Sequence, residues 1–351
     1  MSRLGVALVV GLSTVLSLAV AEALVRWVMP QPVVLFDPGL YQLDDALGYR
    51  HRPGYRGVMT NIVEYRTRIE IDALGLRGFS PGYRGNSTRV LVIGDSFVFG
   101  QGVEANQTIA SRLEDSLVKL GRRSEVLNAG VRGYGVDQEA GWLQELGPVV
   151  KPQIVVLGVF LGNDLEDDVT SPRLRFSIVA PPQLWHTFVT GTLNARSHLY
   201  RALRNSYRRL SGAETASRRS WLQMNYSAAL GQYPATERAL DRMVRTAGEL
   251  HASLFAFLIP DRMQVERSGQ DAFAQEMRAN PTLHLDLDHP NRVFAAMLSA
   301  RGIPFLDLTP ALRERAQQGP PLYFATDRHW NAAGHEAAAE MVATRITTLI
   351  H

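Results

Sequence analysis

Val90-Leu91-Val92-Ile93-Gly94-Asp95-Ser96-Phe97 is the stretch that decides the fold. Four apolar residues run without alternation, as in a strand buried on both faces, and stop at a glycine followed by a small polar pair. Toward the C-terminus the same pattern recurs. A helix is expected over about 105–120, a short strand at Val126 and Leu127, a helix near 137–146 and a strand over Ile154–Phe160. Further on come a helix near 236–251, a strand over 254–259, a helix over 290–300, a strand over 304–306 and an Ala-rich closing helix over 332–349. Five apolar strands separated by helices imply a parallel sheet covered on both faces, because each parallel pairing needs a crossover. In such α/β sheets the chemistry gathers in the loops at the carboxyl ends of the strands.

Toward the N-terminus the pattern changes twice. Residues 30–87 are rich in Pro, Gly, Tyr and Arg, and 63–71 alternate with period two, so a β-rich lead-in carrying a strand or hairpin is expected. Residues 4–21 hold no charge, and the apolar pattern continues through Trp27 and Val28 to a stop at Pro30. Residues 1–29 therefore form a membrane anchor or a signal sequence. Arg3 favours an inside N-terminus and an exported body; Ala19-Val20-Ala21 offers a cleavage site for the signal alternative. Both alternatives export the body, as a periplasmic domain on a single inner-membrane span or as a secreted protein. The remaining 88–351 form the main domain, interrupted over about 165–235 by an insertion that breaks the strand–helix alternation.

Composition removes several classes of function. The chain has 351 residues, 46% hydrophobic, ample for a packed core. With no Cys it carries no disulfide, thiolate metal site, iron–sulfur cluster or cysteine nucleophile. A formal net charge of +3 is too small to argue for a nucleic-acid partner.

Three polar clusters each follow an apolar strand: Gly94-Asp95-Ser96, Asn128-Ala129-Gly130-Val131-Arg132-Gly133 and Gly162-Asn163-Asp164. A fourth, Thr326-Asp327-Arg328-His329-Trp330-Asn331, precedes the final helix. They offer a hydroxyl nucleophile, a glycine whose backbone can approach a ligand, a neutral amide donor suited to a developing oxyanion, and a base with a carboxylate to orient it. Singly, each is an ordinary turn or surface loop. Their joint order is the signal.

With these four blocks the chain resembles the SGNH/GDSL hydrolase family. The resemblance covers about 89–351 apart from the insertion. It implies a three-layer α/β/α, flavodoxin-like sandwich with a five-stranded parallel sheet, and ester hydrolysis or acyl transfer without metal or organic cofactor. It assigns Ser96 as nucleophile, His329 as base, and Ser96, Gly133 and Asn163 to the oxyanion hole. The family's usual last block has Asp three residues before His; here Thr326 holds that place and Asp327 stands two before His329. Asp327 is taken as the third member, with a Ser–His dyad or another carboxylate as alternatives. The Thr-Asp-x-His-Trp block is similar to that of the alginate O-acetyltransferase branch. The expected substrate is an acylated carbohydrate of the envelope or of an exported polysaccharide; a lipid esterase and a catalytically silent binding module are the rivals.

Other features have plainer explanations. Glu166-Asp167-Asp168 reads as a solvated loop rather than a calcium site. Asp286, Asp288 and His289 read as a helix start rather than a metal site, and His335 as a packing or capping residue. Pro181, Pro182 and Trp185 suggest a loop able to touch a sugar ring. Over 194–210, Leu199, Leu203, Tyr207 and Leu210 repeat at helical spacing with arginines on the other faces. That helix could lie on anionic lipid, cover the site as a lid, or be an ordinary surface helix.

Overall fold

The computed structural model describes residues 2–31, 34–36, 38–78, 87–164, 193–194, 196–228 and 233–349. The chain opens with α1 (Arg3–Val28), whose first turn is capped by the Ser2 hydroxyl accepting the Gly5 amide at 3.2 Å. None of its side chains is buried, and it is long and apolar enough to cross a membrane.

The lead-in is β-rich, as its alternation indicates. Strands β1 (Leu35–Phe36), β4 (Arg56–Thr60) and β5 (Arg66–Glu70) form an antiparallel sheet in the order β1-β4-β5, while β2 (Tyr41–Asp44) pairs with β3 (Gly48–His51) in a separate hairpin. The turn between β4 and β5 is built by Asn61, whose side-chain oxygen accepts the amides of Val63, Glu64 and Tyr65. Tyr41, Tyr49, Met59, Tyr65 and Ile69 from this region join the same apolar cluster as one face of the main sheet. The lead-in and the α/β body thus share a core.

The main sheet holds five parallel strands in the order β10-β9-β8-β6-β7: β6 (Thr88–Gly94), β7 (Ser124–Gly130), β8 (Ile154–Phe160), β9 (Ser253–Ile259) and β10 (Phe305–Asp307). Counted from β6, this is the flavodoxin-like order 2-1-3-4-5, with its switch point between β6 and β8. Alternate residues of β6 feed opposite faces. Leu91 and Ile93 pack with α4 (Val136–Val150), α7 (Pro234–Glu249) and α10 (His289–Ala300), whereas Val90 and Val92 pack with α3 (Ile109–Lys119) and α12 (Ala332–Ile346). The result is the α/β/α sandwich.

Several boundaries differ from the sequence expectation. The helix expected from 105 is split: a 3₁₀ turn over Ala105–Gln107 comes first, because the Thr108 hydroxyl caps α3 by accepting the Ser111 amide. The closing helix stops at Ile346, followed by a 3₁₀ turn over Thr347–Leu349. The described part of the expected insertion contains α5 (His198–Leu210) and α6 (Ala213–Tyr226). The sequence pattern also did not indicate the short α8 (Arg262–Val265), α9 (Arg267–Ala279) or α11 (Thr309–Gln318). Glu166-Asp167-Asp168, Pro181, Pro182 and Trp185 lie outside the described residues.

Candidate active site

Strand β6 ends at Gly94, where an added Cβ would come within 2.4 Å of Val98 Cγ2 and 2.9 Å of the Gly158 carbonyl oxygen. Glycine there lets the short helix α2 (Ser96–Phe99) fold back onto the strand ends. Asp95 caps that helix, accepting the Phe97 amide at 2.8 Å. Gly130 closes the other side, since a Cβ there would lie 2.1 Å from the Phe99 nitrogen. The Val131 amide also donates to the Gly94 carbonyl at 2.9 Å, tying the β7 loop to β6. Ser96 is thereby fixed at the carboxyl edge of the sheet, beside the switch point.

His329 arrives from the far end of the chain. Its loop is held as a tight arch by the Phe324 amide donating to the His329 carbonyl (3.0 Å) and the Asn331 amide donating to Leu322 (3.0 Å). Asn331 then caps α12, its side-chain oxygen accepting the amides of Ala333 and Gly334. Phe97 packs against the imidazole with ring centroids 4.8 Å apart. In this setting His329 Nε2 lies 2.7 Å from Ser96 Oγ, and His329 Nδ1 lies 2.5 Å from Asp327 Oδ1. Three groups from opposite ends of the domain form one hydrogen-bonded line. With Nδ1 protonated toward the carboxylate, Nε2 is left as the acceptor for the serine hydroxyl.

Asp327 is buried, yet it is strongly supplied with donors. Tyr65 donates its hydroxyl to Oδ2 at 2.7 Å and Gln101 donates Nε2 to the same oxygen at 3.0 Å. Burial alone would raise this carboxyl. The hydrogen bond and charge of His329, then the bonds from Tyr65 and Gln101, more than offset it and hold the group well below the ordinary carboxylate range. Asp95 shows the opposite balance: burial pushes it up despite its bonds from the Phe97 amide and Ser96.

Glu64, beside Tyr65, grips the same loop from outside. Its carboxylate accepts the Thr326 amide (2.8 Å), the Thr326 hydroxyl (2.5 Å), the Asp327 amide (2.9 Å) and the Asn61 side chain (2.9 Å). Gln101 is itself oriented by Arg132, whose Nε donates to its side-chain oxygen at 2.5 Å. None of Glu64, Tyr65, Gln101 and Arg132 was picked out from the sequence. For Gln101 a signal existed: it stands between Gly100 and Gly102, both with positive φ, directly after the serine block.

The two remaining expected residues sit where their strands end. Gly133 follows β7 with φ +77°, and a Cβ there would lie 2.9 Å from the Tyr49 hydroxyl. That hydroxyl donates to the Arg132 carbonyl at 2.7 Å, and Tyr134 donates its own hydroxyl back to the Tyr49 carbonyl. Asn163 follows β8 in a turn secured on both sides: Trp221 of α6 donates to the Gly162 carbonyl at 3.0 Å, and buried Asp164 accepts the Phe160 amide at 2.7 Å. A cavity of about 350 Å³ opens beside Asp327 and His329, lined also by Val34, Asn61, Gln101, Thr326 and Arg328.

Elsewhere, Asp288 pairs with Arg313 at 2.8 Å and Asp286 pairs with Arg292, just ahead of α10. Among the described residues no group of three or more metal-ligating side chains is assembled. His335 is buried in α12 with its ring edge-on to Trp330.

The chain matches the model of the GDSL-like lipase/acylhydrolase family over residues 92–337. Among solved structures it is similar to TesA (16% identity, 75% of this chain and 100% of that chain, TM-score 0.42). It is also similar to a lipase/acylhydrolase from Enterococcus faecalis (13%, 75% and 97%, TM-score 0.42). A third similar structure is a catalytic variant of an acetylxylan esterase from Geobacillus stearothermophilus (17%, 76% and 96%, TM-score 0.40). No curated protein matches the sequence. With the matched region running from the strand before Ser96 into the helix after His329, the chain belongs to the GDSL-like lipase/acylhydrolase family.

Proposed function

We propose that the protein is a serine esterase or O-acyltransferase, held by α1 in the inner membrane with its catalytic body in the periplasm, and that it acts on short acyl esters, most simply acetyl, of envelope or exported polysaccharide. The observation that carries the chemistry is the hydrogen-bonded line Ser96–His329–Asp327, at 2.7 and 2.5 Å.

In this mechanism His329 Nε2 takes the Ser96 proton as Oγ attacks the ester carbonyl carbon. Asp327 fixes the imidazole tautomer and balances the imidazolium charge. The oxyanion is held by the amides of Ser96 and Gly133 and the side-chain amide of Asn163; one such donor is typically worth about 3–4 kcal/mol. Collapse expels the alkoxide, which receives the proton back from His329. Water or a sugar hydroxyl then attacks the acyl-serine, losing its proton to His329, and as the second tetrahedral intermediate collapses His329 returns that proton to the departing Ser96 Oγ.

A polar alcohol is supported by the cavity lining. Beside Asp327 and His329 stand Asn61, Gln101, Thr326 and Arg328, against a single aliphatic side chain, Val34.

The test is turnover by the full chain in detergent or nanodiscs, comparing nitrophenyl acetate, nitrophenyl palmitate and an acetylated oligosaccharide, with and without an unacetylated sugar acceptor. Preference for acetyl esters supports the proposal. Release of free acetate marks a hydrolase, and acetyl appearing on the acceptor marks a transferase. Faster turnover of palmitate would favour a lipid esterase, and no turnover of any ester by folded protein would favour a silent binding module.

A further inference from the structure

Helix α5 is amphipathic with its polar face inward. His198 and Arg201 are 4% and 3% exposed, whereas Leu203, Tyr207 and Leu210 are 63%, 71% and 89% exposed. At about 100° per residue, Leu199, Leu203, Tyr207 and Leu210 fall within an arc of about 80° on the side away from the buried pair. Arg204 flanks that stripe on one side, Arg208 falls about 20° from buried Arg201, and Arg209 flanks the stripe on the other side. Arg204, Arg208 and Arg209 bond Asn194 (3.3 Å), Ser217 (3.3 Å) and Glu214 (3.6 Å) respectively. A soluble surface helix does the reverse, burying its leucines and exposing its arginines.

Its attachment explains the inversion. Glu22 of α1 accepts the Ser197 hydroxyl (2.7 Å) and the amides of His198 and Leu199 (both 2.9 Å), so the start of α5 is pinned to α1. Arg26 donates to Glu22 at 2.6 Å and to the Arg196 carbonyl at 2.6 Å, and the Gln31 amide donates to His198 Nδ1 at 2.8 Å. The uncharged stretch 4–21 is about 27 Å long as a helix, close to the hydrocarbon thickness of a bilayer. Glu22 and Arg26 then stand at the headgroup boundary, and α5 leaves α1 at that level.

We propose that α5 lies on the anionic headgroup surface of the membrane that α1 crosses, with Leu199, Leu203, Tyr207 and Leu210 sunk to the acyl boundary and Arg204 and Arg209 among the lipid phosphates. The partner is an anionic phospholipid bilayer. The proposal depends on α1 crossing a membrane and not on the chemistry at Ser96. It also sets where the site sits. The turn Ser211-Gly212 leads directly into α6, whose Trp221 holds the Gly162 carbonyl beside Asn163.

The absence of cysteine allows a clean test. The full chain carrying Tyr207→Cys, or separately Leu210→Cys, is labelled with an environment-sensitive fluorophore and reconstituted into phosphatidylcholine vesicles with or without phosphatidylglycerol. The vesicles include a lipid bearing a nitroxide high on its acyl chain, and labels at Lys119→Cys and Leu12→Cys serve as references. The expected result is blue-shifted emission and severalfold stronger quenching at 207 and 210 than at 119. Both should weaken without phosphatidylglycerol, at high salt, and in Arg204→Glu/Arg209→Glu. Emission at 207 and 210 like that at 119 overturns the proposal. So does quenching indifferent to lipid charge and salt, and so does an unquenched label at 12, which would mean that α1 is not in the bilayer.

Discussion

The Tyr65 hydroxyl donates a 2.7 Å hydrogen bond to Asp327 across 262 residues of sequence, joining the β-rich lead-in to the acid beside His329. Burial and the neighbouring Asp327 charge push the phenol's own pKa up, so it stays a donor at any working pH. We expect Tyr65→Phe to lower kcat about tenfold with KM little changed, the range for losing one hydrogen bond to a charge. Steady-state kinetics checks this; an unchanged kcat would make Tyr65 a packing residue.

Asp327→Asn tests the third member of the line directly. If Asp327 fixes the tautomer, kcat should fall about 10⁴-fold while the fold survives. A loss below about tenfold would point instead to a Ser–His dyad.

Gly133→Ala combines a positive φ with a Cβ 2.9 Å from the Tyr49 hydroxyl. The β7 loop must shift, and with it the amide proposed to hold the oxyanion. We expect kcat to drop about 100-fold or more with a smaller change in thermal stability. Parallel activity and melting measurements separate the two effects.

Two of the buried histidines, His51 and His335, weaken the fold in acid. Burial lowers His51 to about 3, with help from the charges of Arg77 and Arg132 against its bond to the Gly75 carbonyl; burial and the His329 charge lower His335 to about 3. Neither His335 ring nitrogen has a hydrogen-bond partner among the described residues. The unfolded chain binds these protons near pH 6.5 and the folded chain only near pH 3. The folded state is therefore favoured in full above 6.5 and loses up to about 1.4 kcal/mol per histidine per pH unit below it. Urea melts at stepped pH should show this fall, and His335→Leu should make it shallower.

The sheet was legible because its strands are buried on both faces. A run such as Ile154–Phe160 has no other use for seven unbroken nonpolar residues, and the strand has those bounds. Helices with little buried surface were not legible: α9 buries only Phe273, and α11 only Thr309 and Leu312, too few apolar anchors to mark a core-facing helix. The hairpin β2–β3 has four-residue strands and uses aromatic rather than alternating aliphatic burial. At the site, Ser96, Gly133, Asn163, Asp327 and His329 lie in short blocks at strand and helix ends, which sequence displays. Tyr65, Glu64 and Arg132 act through contacts that only the tertiary fold creates.

The central claim is that Ser96 is a nucleophile activated by His329. It is tested most directly by incubating the folded full chain with a fluorophosphonate probe and mapping the adduct by mass spectrometry. We expect one adduct, on Ser96, abolished in Ser96→Ala and slowed by orders of magnitude in His329→Ala. A folded wild-type chain that stays unlabelled, or one labelled only at another residue, would contradict it.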